Sequence, residues 1–384
     1  MKIVGIVAEF NPFHNGHKYL IEKAKELTKA DLAVCIMSGS FTQAGNISII
    51  DKFKRAKIAI QNGFDVVIEL PTIYATASSE YFAYGAINIL NALGCIDYIC
   101  FGSETGDTKV LISIAKKLLD NNDKIWNIIT DELRSGISFA AAREKAISKF
   151  LTKKEIEISN TSNNILAIQY IKTLLELKSN ITPLAIKRDE GDTVISATKI
   201  RELLKTEKDI STYLPYDLSS DKLIFNDELY TLLKYRIISY GKEYLKNINE
   251  VNEGLENKIY DEINNSPTYD DFIKNIKSKR YQLSKIKRIM INILLNIKKE
   301  HFIELNTNSN IYAHVLAINP KTKKDILSLF SKSSNMPVIT SLNDDLISKL
   351  NSPIRESLLL DITATNIHSV LTNDVINKDY TNKL

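Results

Sequence analysis

Short apolar runs alternate with amphipathic stretches over the first half of the chain. Four runs rich in β-branched residues, at 3–8, 32–37, 66–70 and 98–101, predict buried strands. The stretches at 18–29, 52–62 and 79–93 place apolar residues three and four positions apart, which predicts helices. Strands and helices that alternate in this way predict βαβ units and therefore an α/β fold with a parallel sheet.

The pattern changes beyond residue 206, where apolar spacing is mostly helical and Asn, Lys, Ile and Leu are frequent. We therefore predict two regions, 1–208 and a mainly helical 209–384. Apolar segments at 312–318 and 337–340 flank a helical pattern at 321–330 and predict a small α+β end.

Composition restricts the class of protein. The 384 residues carry a formal net charge of only +4, too small to indicate nucleic-acid binding without a local patch. Cys35, Cys95 and Cys100 fall within or beside predicted strands and are typical of small core residues in a reducing compartment. No apolar run reaches the ~18 residues that a membrane span requires, so we expect a cytoplasmic protein with no membrane partner.

The candidate chemistry begins with the sequence His14-Asn15-Gly16-His17, which directly follows the first predicted strand. Ligands of open α/β sheets bind at the carboxyl ends of the strands, and a helix N-terminus there favours phosphate. Gly16 lets a nucleotide approach the backbone closely. His14 and His17 are candidate catalytic residues because imidazole N–H groups stabilise charge that develops on phosphate oxygens.

Two other interpretations of this histidine pair are a metal site and an ordinary surface turn. The chain has five histidines, and no third His or Cys lies near these two at ligand spacing. We therefore expect no metal site from a side-chain cluster and favour phosphate binding.

The predicted helix start at 195–201 is a candidate for a second phosphate-binding corner. Ser196 and Thr198 stand there beside Arg201, a combination that suits phosphate. An ordinary capped helix explains the same pattern. Gly102, at the end of the fourth strand, lacks a side chain and is a candidate contact for a base or ribose, or simply a turn glycine.

Residues 272–299 contain no acidic residue and many basic ones. The candidate nucleic-acid contacts in this stretch are Lys279, Arg280, Tyr281, Lys287 and Arg288. A basic face on an amphipathic helix with a nearby aromatic ring suits a nucleic-acid backbone, although a solvated helix face has the same composition.

Several segments together resemble a known family. They are Glu9-Phe10-Asn11-Pro12-Phe13-His14-Asn15-Gly16-His17, Met37-Ser38-Gly39, Val67-Ile68-Glu69-Leu70-Pro71, Phe101-Gly102-Ser103-Glu104, Asn163-Asn164-Ile165-Leu166 and Ser196-Ala197-Thr198-Lys199-Ile200-Arg201. The opening strand with its histidine pair is similar to the HxGH nucleotidyltransferase superfamily. The whole set, continued through residues 279–281 and 293–297, resembles the bacterial tRNA(Met) cytidine acetate ligases.

The resemblance implies a Rossmann-like nucleotidyltransferase domain followed by a tRNA-binding region. It also implies a reaction in which ATP and acetate give acetyl-adenylate, whose acetyl group passes to N4 of the wobble cytidine of elongator tRNA(Met). ATP is expected with Mg²⁺. The implied ATP site comprises Val7, Ala8, Glu9, Phe10, Asn11, Pro12, Phe13, His14, Asn15, Gly16, His17, Lys18, Tyr19, Leu20, Gly102, Asn163 and Arg188.

One segment departs from the family pattern. Ala44-Gly45-Asn46-Ile47 stands where the family usually carries an Arg-Gly-Glu-Pro-like turn. Two alternative functions remain open from the sequence: a small-molecule adenylyltransferase, and a tRNA-binding protein whose nucleotide site is regulatory. The basic stretch argues against the first, and the intact histidine pair argues against the second.

Overall fold

A seven-stranded sheet forms the centre of the computed structural model, which describes residues 1–188, 191, 194–252, 254–278, 281–306 and 310–384. The strands are β1 (Ile3–Ala8), β2 (Leu32–Ser38), β3 (Val66–Leu70), β4 (Tyr98–Ser103), β5 (Thr182–Lys187), β6 (Ala313–Ile318) and β7 (Val338–Ile339). Their order in the sheet is β5-β4-β1-β2-β3-β6-β7. Strands β1 to β5 are mutually parallel, so their carboxyl ends meet at one edge. The predicted α/β fold is confirmed.

The last two strands extend this sheet instead of forming a separate unit at the end of the chain. Strand β6 pairs antiparallel with β3, with Glu69 opposite His314, and β7 pairs parallel with β6. The division near residue 209 stays a prediction, and residues from both sides of it build the one sheet.

The helices between the parallel strands are α1 (Asn15–Thr28), α2 (Lys52–Gln61), α3 (Thr72–Ala75), α4 (Ser79–Ala92), α5 (Thr108–Asp120), α6 (Asn122–Arg134), α7 (Phe139–Ile147), α8 (Lys153–Ser159) and α9 (Ser162–Glu176). The remainder are α10 (Ala197–Lys205), a 3₁₀ turn (Ser211–Tyr213), α11 (Leu229–Lys246), α12 (Leu255–Asn265), α13 (Tyr269–Ile276), α14 (Leu283–Leu295), α15 (Lys299–Leu305), α16 (Lys323–Ser333), α17 (Asp344–Lys349), α18 (Ser352–Thr372) and α19 (Lys378–Thr381). The helical character predicted for 209–384 is confirmed.

Both faces of the sheet are covered, which explains the uninterrupted apolar strand sequences. Along β2, Val34 and Ile36 face one core, whereas Cys35 and Met37 face the other. Cys35 is fully buried, so it is a core residue as the sequence predicts, and this burial raises the pKa of its thiol well above its usual value. Among the described helices, none is both long enough and apolar enough to cross a bilayer.

Candidate active site at the first strand–helix junction

The loop between β1 and α1 is held from two directions. The side chain of Asn11 donates from Nδ2 to the carbonyl of Ile47 at 3.1 Å and accepts from the N–H of Ile49 at 2.8 Å. Its own carbonyl accepts from Arg201 at 2.6 Å. Because these partners come from distant parts of the chain, the loop conformation depends on the assembled fold. The side chains of Phe10 and Phe13 are buried in the core, so any nucleotide contact there comes from the backbone.

His14 and His17 together form the N-terminal cap of α1. Nδ1 of His14 accepts from the N–H of Gly16 at 3.1 Å, and Nδ1 of His17 accepts from the N–H of His14 at 3.2 Å. The ring centroids lie 3.8 Å apart. A neutral imidazole that accepts at Nδ1 carries its proton at Nε2. Neither Nε2 has a hydrogen-bond partner among the described residues, so both are free to donate to a ligand.

Both imidazoles are neutral near pH 7. Burial, with the positive charges of Arg188 and Arg201, lowers the pKa of His14 to about 4. Burial, with His14 and Arg188, holds the pKa of His17 well below its usual value. The site therefore offers neutral N–H donors beside two permanent cations, which suits an anionic ligand.

Gly16 is required by the histidine cap. A Cβ atom at this position would lie 2.9 Å from Cε1 of His14 and 3.2 Å from Cγ1 of Val194. A side chain would therefore displace the His14 ring. The predicted role of Gly16, close approach of a nucleotide to the backbone, stays a prediction.

Arg188 follows β5 and lies beside Gly102 at the end of β4. Its N–H donates to the carbonyl of Ser103 at 3.2 Å, and Cγ of Arg188 is the only contact within 4 Å that a Cβ on Gly102 would make among the described residues. Asn163 lies in the first turn of α9, where its Nδ2 donates to Glu104 at 2.7 Å. Strands β4 and β5 thus bring Gly102, Asn163 and Arg188 to one edge of the sheet.

The second candidate corner is a capped helix. Ser196 is the N-cap of α10 and accepts from the N–H of Lys199 at 3.2 Å. Thr198 accepts from Arg201 at 3.1 Å, and Arg201 also holds Asn11. The pattern therefore has a structural explanation, and phosphate binding by Ser196, Thr198 and Arg201 stays a prediction.

Sequence reasoning missed one further site residue, Arg55 of α2. Its fully buried guanidinium donates to the carbonyl of Glu9 at 2.6 Å, to that of Ser38 at 3.0 Å and to that of Gly39. Arg55 thereby joins the ends of β1 and β2. The only sequence signal is an arginine within the apolar spacing of a predicted helix.

Part of the basic stretch packs against Ala44-Gly45-Asn46-Ile47, the segment that differs from the family pattern. Lys287 donates to Asn46 at 3.2 Å, and Arg288 donates to the carbonyl of Gln43 at 3.4 Å. Arg288 is only 6% exposed, so it lies at a contact between helix and loop and not on an open face. Lys279 and Arg280 lie outside the described residues. The tRNA contacts of all these residues stay predictions.

Among the described residues, one group has the spacing of metal ligands: Glu69, His314 and Asp379. The ammonium of Lys52 already lies among them, 2.7 Å from both Glu69 and Asp379. It holds the pKa of Glu69 down to about 2 despite burial, with help from the hydrogen bond from His314. A lysine in this position replaces the charge that a metal would supply.

The sheet order and the histidine-capped helix define the class of protein as a HIGH nucleotidyl transferase, and the sequence matches the family of that description over residues 1–383. The chain is 38% identical to the tRNA(Met) cytidine acetate ligase of Clostridium novyi, over 98% of this chain and 96% of that protein. It is 40% identical to the protein of the same name from Clostridium botulinum strain Okra, over 99% and 97%. The chain belongs to the tRNA(Met) cytidine acetate ligase family, which confirms the resemblance.

The fold of this chain agrees with that of a solved structure. The crystal structure of Thermotoga maritima TmcAL bound with alpha-thio ATP superposes with a TM-score of 0.91 at 33% identity, covering 98% of this chain and 96% of that one. The apo form of the same protein gives a TM-score of 0.89. The fold, including its helical second half, is therefore that of a protein that binds an ATP analogue.

Proposed function

We propose that this protein uses ATP to activate acetate and transfers the acetyl group to N4 of the wobble cytidine of elongator tRNA(Met). The observation that carries the proposal is the pair of neutral, Nε2-protonated imidazoles at the N-terminus of α1. The chain that holds them matches tRNA(Met) cytidine acetate ligases over nearly their whole length. This arrangement suits a triphosphate, whereas a small-molecule adenylyltransferase has no need for the helical half.

In the first step an oxygen of acetate attacks the α-phosphorus of ATP, and the bond to the β-phosphate oxygen breaks. Acetyl-adenylate and pyrophosphate result. Acetate is already ionised at neutral pH, as carboxyl groups with pKa near 4 are, so the step needs no general base. The protein must instead bring two anions together and stabilise charge on the phosphate oxygens.

The residues at the junction have separate roles in this step. His14 and His17 donate from Nε2 to the phosphates, and the positive end of the α1 helix dipole adds to this. Arg188 supplies positive charge beside Gly102. Arg201 acts through Asn11, whose loop it fixes. These assignments, and those of the rest of the 7–20 loop, are our proposals.

A magnesium ion would be held mainly by the triphosphate oxygens, as Mg²⁺ commonly is in such sites. Glu9, the carboxylate of the loop, already accepts from the N–H of Gln43 at 2.6 Å, and burial raises its pKa. Within the described part of the chain, the loop has no pair of free carboxylates for a metal. We therefore assign no residue to the ion.

In the second step N4 of the cytidine attacks the acetyl carbonyl carbon, AMP leaves, and N4 loses a proton. The cytidine must therefore reach the acetyl-adenylate at the same edge of the sheet. We propose that the tRNA approaches from the side of α14, where the basic stretch contacts the 43–47 loop. Lys279, Arg280 and Lys287 are our candidates for contacts with the tRNA backbone. An enzyme of this kind, with three free cysteines, works in the cytoplasm.

The test is incubation with ATP, radiolabelled acetate and total tRNA, followed by nucleoside analysis. We expect label in N4-acetylcytidine, and only when ATP is present. Pyrophosphate release that depends on acetate but leaves tRNA unlabelled would favour the small-molecule adenylyltransferase. Binding of tRNA without pyrophosphate release would favour a regulatory nucleotide site.

A further inference from the structure

A cavity of about 380 Å³ lies between the start of α4, the loop after α11 and the helices α14 and α15. Its lining includes Tyr81, Glu250, Lys285, Lys299 and Phe302. This volume falls within the range of small-ligand sites, ~300–1,000 Å³. None of the roles proposed above uses the cavity.

Gln43 connects the cavity to the candidate active site. Its N–H donates to Oε1 of Glu9 at 2.6 Å, within the loop that precedes the histidines. Its side chain donates to the carbonyl of Ala77, a wall of the cavity, at 3.4 Å. Gln43 therefore stands between a ligand in the cavity and the ATP loop. Such a ligand lies next to the candidate active site but does not itself occupy the position of the reacting cytidine.

The apolar wall of the cavity is aromatic and partly exposed. Tyr81 is 40% exposed and meets Phe302 edge to face, with ring centroids 4.9 Å apart and planes at 83°. Ile303 beside them is 73% exposed. Exposed aromatic rings next to basic side chains are typical of platforms on which unpaired bases stack.

The opposite wall offers an acceptor. Glu250 is a non-glycine residue with φ of +64°, a conformation that costs energy and is frequent at functional sites. Its Oε2 is buried, lies 3.5 Å from Nε of Arg288 and has no hydrogen-bond partner among the described residues. Oε2 therefore forms an ion pair with Arg288 inside the fold. The second oxygen, Oε1, accepts no hydrogen bond from another described residue and is the one suited to accept from an amino group in the cavity.

Two ammonium groups complete the lining. Lys299 donates one hydrogen bond to the carbonyl of Lys246 at 2.8 Å, and Lys285 lies 5.3 Å from the ring centroid of Tyr281. An ammonium has three donors, so each lysine has capacity left for a phosphate oxygen.

We propose that this cavity binds the anticodon base next to the acceptor cytidine, which in a methionine anticodon is adenine. The base stacks on Tyr81, whose ring Phe302 supports edge to face. The exocyclic amino group donates to Glu250, and a flanking phosphate meets Lys285 or Lys299. This inference rests on the proposed function and adds to it a basis for discriminating among tRNAs that carry a wobble cytidine. Uracil, which has an oxygen at the corresponding position, cannot donate to the Glu250 carboxylate.

The experiment combines a base change with a protein change. Anticodon stem–loop RNAs are made with adenine or with purine, which lacks the amino group, beside the wobble cytidine. Acetylation kcat/KM is measured for the wild type, Glu250→Ala and Tyr81→Ala. Tyr235→Ala, whose exposed ring lies on α11 outside the cavity, is the matched control. Acetate-dependent pyrophosphate exchange is measured for every variant.

We expect the wild type to lose about tenfold in kcat/KM when purine replaces adenine, the scale of one base-edge contact. Glu250→Ala should show the same loss with adenine and little further loss with purine. Tyr81→Ala should lower kcat/KM about tenfold on both RNAs. Pyrophosphate exchange should stay at the wild-type level in all variants, including Tyr235→Ala.

Equal kcat/KM for adenine and purine in the wild type would overturn the inference, as would an undiminished purine penalty in Glu250→Ala. If Glu250→Ala also loses pyrophosphate exchange, Glu250→Gln is used, because it keeps an acceptor oxygen and the shape of the side chain. If the wild type acetylates neither stem–loop RNA and no full-length tRNA, the proposed function itself is refuted.

Discussion

His17 fixes the residue that caps the same helix, because Nδ1 of His17 accepts from the backbone N–H of His14 at 3.2 Å. His14 in turn accepts from Gly16. The N–H of Gly16 therefore orients the His14 ring, and the N–H of His14 orients the His17 ring. Each imidazole retains Nε2–H as a donor. Orientation by the backbone means that the pair is arranged before a nucleotide binds, as electrostatic stabilisation of a transition state requires.

Removing either imidazole should slow adenylation. We expect His14→Ala or His17→Ala to lower the rate of acetate-dependent pyrophosphate exchange ~10²-fold or more, the scale of one lost transition-state donor. Loss of the cap should cost about 1 kcal/mol in the free energy of unfolding. His301→Ala, on α15, is the control. Exchange at the wild-type rate in either variant would refute the assignment.

The lowered histidine pKa values predict a pH dependence of stability. Between pH 6.5 and about 4 the unfolded chain binds a proton at His14 that the folded chain does not. The free energy of unfolding should therefore fall as pH decreases through this window, by up to ~1.4 kcal/mol per pH unit for this group. Urea unfolding of wild type and His14→Gln at pH 7, 6 and 5 measures this. His14→Gln should show a shallower dependence, and an identical slope would contradict the pKa shift.

The sequence predicted the sheet and the histidine junction because their signals are local. The run Ile3–Ala8 and the histidines that follow it need only strand periodicity and a helix start. It did not predict that Ala313–Ile318 would join the same sheet, because pairing between distant strands leaves no local pattern. Arg55 was missed for a related reason: the carbonyl groups that it binds come together only in the fold. Burial of Arg288 likewise depends on a loop that lies more than two hundred residues earlier.

The buried Lys52 provides a stability prediction for the end of the chain. Asp379 accepts from its ammonium at 2.7 Å, and both side chains are fully buried. Asp379→Ala leaves part of the Lys52 charge uncompensated and should lower the free energy of unfolding by ~3–5 kcal/mol. Asp345→Ala is the control, since its pair with Lys349 is exposed and contributes less than about 1 kcal/mol. Equal effects of the two changes in chemical denaturation would show that the buried pair is not essential.

A substitution at Gly45 tests the contact between the 44–47 segment and α14. Its φ is +77°, and a Cβ there would lie 2.4 Å from Cβ of Lys287. Gly45→Ala should therefore combine a backbone cost of ~1–2 kcal/mol with displacement of the loop from the helix. Gly136→Ala is matched in backbone, with φ of +87°, and meets no atom within 4 Å among the described residues. We expect tRNA acetylation to fall in Gly45→Ala only. Equal acetylation by the two variants would show that the contact does not matter for the second step.

Arg280 and Arg288 should differ although the sequence places both in one basic stretch. Arg288 is buried, where it donates to Gln43 and lies beside Glu250, so Arg288→Ala should lower the melting temperature and leave the salt dependence of tRNA binding unchanged. Arg280 is predicted to contact a tRNA phosphate, and each such contact releases counterions. Arg280→Ala should therefore reduce the slope of log K against log salt by about one, at an unchanged melting temperature.

The measurements are thermal unfolding and filter binding of tRNA(Met) from 50 to 200 mM salt, a range over which counterion effects are large. A reduced slope in Arg288→Ala with normal stability would instead place that residue on the tRNA surface, and normal slopes in both variants would make the stretch a solvated helix face.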